Sequence, residues 1–304
     1  MAYFLGIDGG GSQTTFVLGD EKSVLASVQA GGSNMVRVGE SQTRSVLQQG
    51  VRQVCQQGGI KPAHVVGLCA GIAGAARDEI RQKIARLLAK WIQGKIEVVG
   101  DVVVAHEAAL DGGPGVVVIS GTGSIAYGRH ESGRTARAGG WGYAISDEGS
   151  GYWIGVQAVA AVTHALDAGG YTELSDRIPK LWHVDSYDEL IAAANASPAP
   201  DFAALLPEVL AAADAGDSYA RHLVIRAGAE LAGLAEVVFR RLWQPGDVVS
   251  FGLAGSVFQH VAAVRDSFRR EIHRTVPQAP VFLGGKTGGE GALALARKLV
   301  AAQG

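Results

Sequence analysis

One pattern occurs twice in this chain: an apolar strand breaks into glycine and serine and re-emerges as a second strand. It reads Phe4-Leu5-Gly6-Ile7-Asp8-Gly9-Gly10-Gly11-Ser12 and, about 112 residues later, Val117-Val118-Ile119-Ser120-Gly121-Thr122-Gly123-Ser124. A core that repeats in this way implies two similar units, which would face each other across a cleft, a common place for a ligand.

The residues around the two copies extend the repeat. Apolar periodicity predicts strands near 3–8, 14–18 and 24–28, a helix over 41–57, a strand at 65–69, a helix over 78–91, a strand at 96–99 and a helix after Asp101. Strands at 116–119, 125–128 and 135–138 restart the order. Helices follow over 148–168, through the alanine-rich stretch to 213, and over 218–243. A strand at 248–251, a helix over 256–273, a strand at 281–283 and a helix over 290–302 close it. Three strands on tight turns followed by alternating helices and strands make a mixed sheet flanked by helices, an α/β fold. The expected division is 1–113 and 114–287, with 288–304 returning to the first unit.

Glycine supplies 43 of the 304 residues, about twice the usual ~7%. The absence of a three-residue period excludes collagen, and 47% hydrophobic residues exclude a flexible linker. The glycines sit instead between apolar runs, where backbone must turn or lie against a ligand. A net charge of −2 argues against a nucleic-acid partner, which calls for a basic stripe. Cys55 and Cys69 are too few for a disulfide framework or a four-thiolate metal site. The chain enters an apolar strand at once and its first lysine is Lys22, so no basic leader is expected. The most apolar helical stretch, 154–166, carries Gln157 and His164 and is shorter than the ~18 residues of a membrane span. The expectation is a cytoplasmic protein that does not enter membranes.

A glycine-serine turn between strands points consecutive backbone N–H groups into one concavity, which favours phosphate; a plain hairpin reads the same way. Two better-known phosphate motifs fit less well. Gly121 to Ala126 spell G-x-G-x-x-A, but the dinucleotide fingerprint needs a helix directly afterwards, and Ile125-Ala126-Tyr127-Gly128 reads as a strand. Gly285-Lys286-Thr287 resembles the end of a P-loop, yet Pro280 stands where its first glycine belongs. His106-Glu107 lacks the second histidine of a zinc helix, and Gly149-Ser150-Gly151 does not extend to a nucleophile elbow.

The carboxylates are placed more tellingly. Asp8 ends a strand before the first glycine turn, where it suits Mg²⁺ held through water beside phosphates or a local turn bond. Asp101 ends the 96–99 strand and opens a helix, as either a catalytic base or a helix cap. Gly140, Trp141 and Gly142 combine an apolar wall with bare backbone, and Asp147 adds an acceptor, a set suited to a polyhydroxylated ring. Asn34, after Gly31-Gly32-Ser33, offers both donor and acceptor, or simple turn chemistry.

Five motifs then fall in order: G-I-D-G-G-G-S-x-T at 6–14, I-S-G-T-G-S at 119–124, G-G-W-G at 139–142, D-E-G-S-x-Y-W at 147–153 and G-L-A-G-S at 252–256. With these the chain resembles the BadF/BadG-type ATPase family of the actin, Hsp70 and sugar-kinase superfamily, and most of all its N-acetylglucosamine kinases. The resemblance implies two RNase H-like, actin-like ATPase domains closing on ATP and a sugar. It assigns Gly10, Gly11, Ser12 and Thr122 to the phosphates and Gly255 and Ser256 to the adenosine. Asn34, Asp101, Gly140, Trp141, Gly142 and Asp147 go to the sugar, with Asp101 as catalytic base. The activity implied is transfer of the γ-phosphate of MgATP to the C6 hydroxyl of an amino sugar. The alternatives are a kinase for glucosamine or another hexose, because Met35, Val36 and Arg37 lack the aromatic of some animal members, or an ATPase that activates a partner protein. Dehydratase activators of that second kind hold an iron–sulfur cluster at a dimer interface, for which Cys55 and Cys69 are not a convincing set. A two-fold homodimer is the default assembly.

Overall fold

The computed structural model describes residues 1–301. They form two compact units, one made of residues 1–113 with the segment from Gly284 onward, the other of residues 114–283.

In the first unit, β1 (Tyr3–Gly9), β2 (Gln13–Gly19) and β3 (Val24–Gly31) are followed by α1 (Met35–Gln57), β4 (Val65–Ile72), α2 (Asp78–Leu88), β5 (Lys95–Val99) and α3 (Asp101–Leu110). The sheet runs β3-β2-β1-β4-β5. β1 and β2 pair antiparallel, as do β2 and β3, while β1, β4 and β5 are parallel. β1 is covered on both faces, which is why Phe4-Leu5-Gly6-Ile7 is continuously apolar; β3, at the edge, buries only one face. α1 lays Leu47, Val51 and Val54 on Phe16 and Leu18 to form the core on one side.

The second unit repeats the plan with β6 (Gly115–Ser120), β7 (Ser124–Arg129) and β8 (Thr135–Gly139). Then come α4 (Gly151–Asp167), α5 (Leu174–Trp182), α6 (Tyr187–Ala194), α7 (Leu206–Asp214), α8 (Ser218–Leu242), β9 (Phe251–Ala254), α9 (Ser256–His260), α10 (Ala262–Thr275) and β10 (Val281–Leu283). Its sheet runs β10-β9-β6-β7-β8, with β6, β9 and β10 parallel. The expected α/β fold with a mixed sheet in each half is the one observed. Among the described residues no helix is long and apolar enough to cross a membrane.

Of the boundaries that differ from the periodicity, four have a clear local reason. α1 begins at Met35 rather than 41 because its first turn is set off by Gly39, at φ +80°, which hides that turn from a periodic reading. The helix expected over 148–168 starts only at Gly151, since Asp147 and Gly149 are left-handed. The 256–273 helix is split at Val261 into α9 and α10. The 248–251 strand forms three residues later because its ladder partners begin at Val116 and Val281, both opposite Phe251. The end expected for the last helix, Ala302, lies outside the described residues.

That last helix, α11 (Gly288–Ala301), packs in the first unit. Its start is a capping box: Glu290 N–H donates to Thr287 Oγ1 at 3.2 Å and Thr287 N–H to Glu290 Oε2 at 2.8 Å. So Gly285-Lys286-Thr287 introduces a helix, and Lys286 pairs with Asp111. Leu293, Ala292 and Ala296 pack among Phe4, Val17, Cys69 and Val104. The contact with β1 is backbone against backbone: a Cβ on Gly6 would strike Leu293 N and Gly289 O. The substitution Gly6→Ala should therefore lower stability by about 1–3 kcal/mol, the usual range for overpacking. A urea midpoint equal to wild type would contradict this docking.

Candidate active site

A parallel strand ends where its loop must turn into the next crossover, so the carboxyl ends of β1, β4 and β5 gather at one edge. They bring together Asp8 and Gly9, the 72–75 loop, and Asp101. Gly9 O accepts from Ala73 N–H at 2.8 Å, tying the first two loops. Gly10 N–H closes the β1–β2 turn on Gln13 O at 2.8 Å, and Gly10 O receives the N–H groups of both Ser33 and Asn34 at 3.1 Å. Asn34 caps α1, its Oδ1 accepting from Val36 N–H at 3.1 Å, and its side chain faces Gly74. Gly10, Gly11, Ser12 and Asn34 are thus one connected surface.

Asp8 and Asp101 lie beside it. Asp101 is the first residue of α3; the N-cap is Gly100, so Asp101 is not the cap. Its Oδ1 accepts from Val102 N–H at 3.0 Å. Burial pushes its carboxyl up from the ordinary range, and those backbone bonds only partly oppose this. Asp8 touches Gly288 at the amino end of α11. Burial, and next the negative charge of Asp101, push its carboxyl up to about 7. A carboxyl raised by burial and by a neighbouring carboxylate fits a divalent cation, which needs only one or two such groups when phosphates and waters complete its shell. Among the described residues there is no cluster of three or more His, Cys, Asp or Glu suited to a metal.

The second unit carries its own edge. Gly121 N–H donates to Gly123 O at 2.9 Å across the β6–β7 turn, and Gly151 N–H at the start of α4 donates to Gly121 O at 2.8 Å. Thr122 is exposed at the tip. Gly255, at φ +93°, lies between β9 and α9 so close to Ser120 that any Cβ would strike the Ser120 carbonyl, and Ser256 stands next to Gly121. Asp147 is buried and left-handed, φ +72°. It accepts N–H bonds from Ser124 and Gly142, and burial raises its carboxyl above the usual range. It thereby ties the loop of Gly140, Trp141 and Gly142 to the glycine turn. Trp141 is 64% exposed, with the Arg137 guanidinium 4.1 Å from its ring centroid.

Within the first unit, then, Asp8, Gly10, Gly11, Ser12, Asn34 and Asp101 share one edge. Within the second, Thr122, Gly255 and Ser256 share another, and Asp147 joins the 140–142 loop to it. Two participants escaped the sequence reading. The capping signature Thr287-x-x-Glu290 could have revealed the helix start that meets Asp8. Arg37, whose side chain lies over Gly11, left no signal, because that contact is tertiary.

Two five-stranded mixed sheets with glycine turns at their parallel ends define a member of the actin-like ATPase and sugar-kinase class. The chain belongs to the BadF/BadG/BcrA/BcrD ATPase family, which it matches over residues 5–294, and family membership carries the use of ATP. It is 32% identical over 302 residues to an N-acetylmuramic acid/N-acetylglucosamine kinase of Clostridium acetobutylicum, spanning 98% of this chain and 99% of that one. An N-acetyl-D-glucosamine kinase of Dictyostelium discoideum is 30% identical, with 92% of each chain covered. The crystal structure of a candidate N-acetylglucosamine kinase from Chromobacterium violaceum superposes with a TM-score of 0.79 at 27% identity, covering 97% of this chain and 99% of that one. A ROK family glucokinase from Streptomyces griseus, solved with glucose and AMPPNP, shares the fold at TM-score 0.61 and 18% identity, covering 98% and 100%.

The raised carboxyl of Asp8 has a sign that can be measured. From about pH 4 to about 7 the folded chain holds a proton there that the unfolded chain has released, so stability falls as pH rises through that window. Asp8→Asn removes the cost of the buried charge. The variant should melt several degrees above wild type at pH 8 in the absence of ligands, with the gap shrinking toward pH 5. Equal melting at pH 8 would show that Asp8 is not buried at this cost.

Proposed function

We propose that this protein is an ATP-dependent amino-sugar kinase that transfers the terminal phosphoryl group of ATP to the C6 hydroxyl of N-acetylglucosamine or a close derivative. The observation that carries the reading is Asp101: a half-buried carboxylate whose desolvation raises its proton affinity, at the end of a parallel strand beside a glycine turn, in a chain whose relatives bear the names of amino-sugar kinases.

Asp101 accepts the proton of the sugar hydroxyl. Phosphoryl transfer is mostly positioning and electrostatics, and a base with its pKa moved toward neutrality is better matched to that proton than an ordinary aspartate. Its backbone bonds fix the carboxylate at the first turn of α3. Asn34 orients the sugar with its amide, and the phosphates are assigned to the turn of Gly10, Gly11 and Ser12, where the Gly10 N–H closes the turn on Gln13 O and Gly11 and Ser12 offer main-chain N–H groups. Asp8 would hold Mg²⁺, directly or through water, and the ion would offset charge on the phosphates. In the second unit, Thr122 is assigned to phosphate and Gly255 and Ser256 to the adenosine side. Gly140, Trp141, Gly142 and Asp147 are assigned to the sugar: Trp141 offers an apolar face, and Asp147, which is turned onto backbone N–H groups, keeps that loop in place.

The acceptors named for the relatives are N-acetylglucosamine, N-acetylmuramic acid and, for a Vibrio cholerae relative 26% identical over 233 residues, glucosamine. They share a 2-amino hexose frame, so an amino sugar is favoured over a plain hexose. A partner-activating ATPase is less well supported. Cys55 and Cys69 are both buried, and burial pushes both thiols up, whereas cluster ligands must be thiolates.

A coupled ADP assay with MgATP against N-acetylglucosamine, N-acetylmuramic acid, glucosamine and glucose tests the reading; ATP hydrolysis indifferent to every sugar would sink it. Asp101→Ala should lower kcat about 10²- to 10⁴-fold with the fold intact, and near-normal turnover removes Asp101 from the role. In wild type, kcat should fall on the acid side with a midpoint above the ordinary aspartate range. Trp141→Ala should raise the sugar KM up to about tenfold and leave the ATP KM unchanged; the opposite pattern assigns the loop to the nucleotide.

A further inference from the structure

Arg37 stands on the first turn of α1, three residues beyond Asn34, and its backbone N–H donates to Asn34 O at 2.9 Å. Its side chain folds back over the β1–β2 turn. The position a Cβ would occupy on Gly11 is 2.9 Å from Arg37 Nη1 and 3.2 Å from its Cδ. The anchor beneath it is rigid, because Gly10 O receives the N–H groups of Ser33 and Asn34 and Gly32 packs directly on the Gly11 carbonyl. Arg37 is nevertheless exposed. Among the described residues no acidic side chain pairs with it, whereas Arg44, two turns further along the same helix, is matched to Glu40 at 3.3 Å.

A guanidinium held over a glycine turn, with its fork of donors unmatched, is arranged for an anion from outside the chain. The geometry points to Arg37 as an anion-binding residue of this site, receiving two oxygens of one phosphoryl or carboxylate group that lies on the Gly10–Ser12 turn. This rests on the amino-sugar kinase reading for the identity of the ligands. Arg37 sits between Asn34, assigned to the sugar, and Gly11, assigned to phosphate. The anion is therefore either the terminal phosphoryl group of ATP or a carboxylate carried by the sugar, as on the lactyl ether of N-acetylmuramic acid.

The test compares full-length wild type with Arg37→Ala, Arg37→Lys and the control Arg44→Ala. Calorimetry with MgATP and with N-acetylmuramic acid measures binding, and kcat and KM are measured with N-acetylglucosamine and N-acetylmuramic acid as acceptors. Losing a charge-assisted bond should weaken the relevant anion about 10- to 100-fold in Arg37→Ala, with only partial recovery in Arg37→Lys, which keeps the charge without the fork. Arg44→Ala should match wild type. Weaker MgATP binding with equal losses on both acceptors identifies the phosphoryl group. A loss confined to N-acetylmuramic acid identifies the sugar carboxylate. Unchanged affinity for both anions in Arg37→Ala, or an equal loss in Arg44→Ala, overturns the assignment, and does so whether or not wild type phosphorylates a sugar. Absence of turnover in wild type, with anion binding still dependent on Arg37, would refute the kinase reading alone.

Discussion

Everything at the first-unit edge depends on β1, β4 and β5 running parallel. Parallel neighbours cannot be joined by a tight turn, so each connection must leave the sheet and return through a helix. That requirement places the carboxyl end of every such strand on one side. It is why Asp101, distant from Asp8 in the chain, helps to push the Asp8 carboxyl up. The antiparallel β1–β2 turn opens on the same side and adds main-chain donors to a region that already holds two acids.

The edge is electrostatically unfavourable by itself. Asp8 and Asp101 are each pushed toward the protonated state, and Asp8 also lies against the first residue of α11, where the helix macrodipole favours negative charge. Burial and the negative charge of Asp101 both push the Asp8 carboxyl upward. Such tension is common where a fold is arranged to receive charged ligands rather than to be as stable as possible. A folded-back guanidinium at Arg37 belongs to the same picture from the opposite sign.

The second unit uses the same plan with different fastenings. There a buried aspartate, Asp147, grips the backbone on both sides of its loop, and the amino end of α4 donates to the glycine turn. The N–H groups of Gly151 and Ser124 are accordingly engaged within the protein. What faces outward is Thr122, Ser256 and the ring of Trp141. The helical insertions α5 to α7 lie in sequence between this turn and β9 and lengthen the unit without altering its sheet order.

Apolar periodicity and the repeated glycine turn were enough to specify two mixed sheets, because a strand buried on both faces has to be continuously apolar and a tight strand-to-strand turn has to be rich in glycine. The same logic made Asp8 and Asp101 visible as acids at strand ends. It could not show that Asp101 lies inside α3 rather than capping it, since the two differ by one residue of backbone geometry. Nor could it show α1 starting before Gly39, or β9 beginning where β6 and β10 become available to pair. The docking of α11 on Gly6, the inward turn of Asp147 and the placement of Arg37 over Gly11 were decided by tertiary structure alone. Each joins residues distant in sequence, or depends on a side-chain direction, and no local pattern of residue types encodes either.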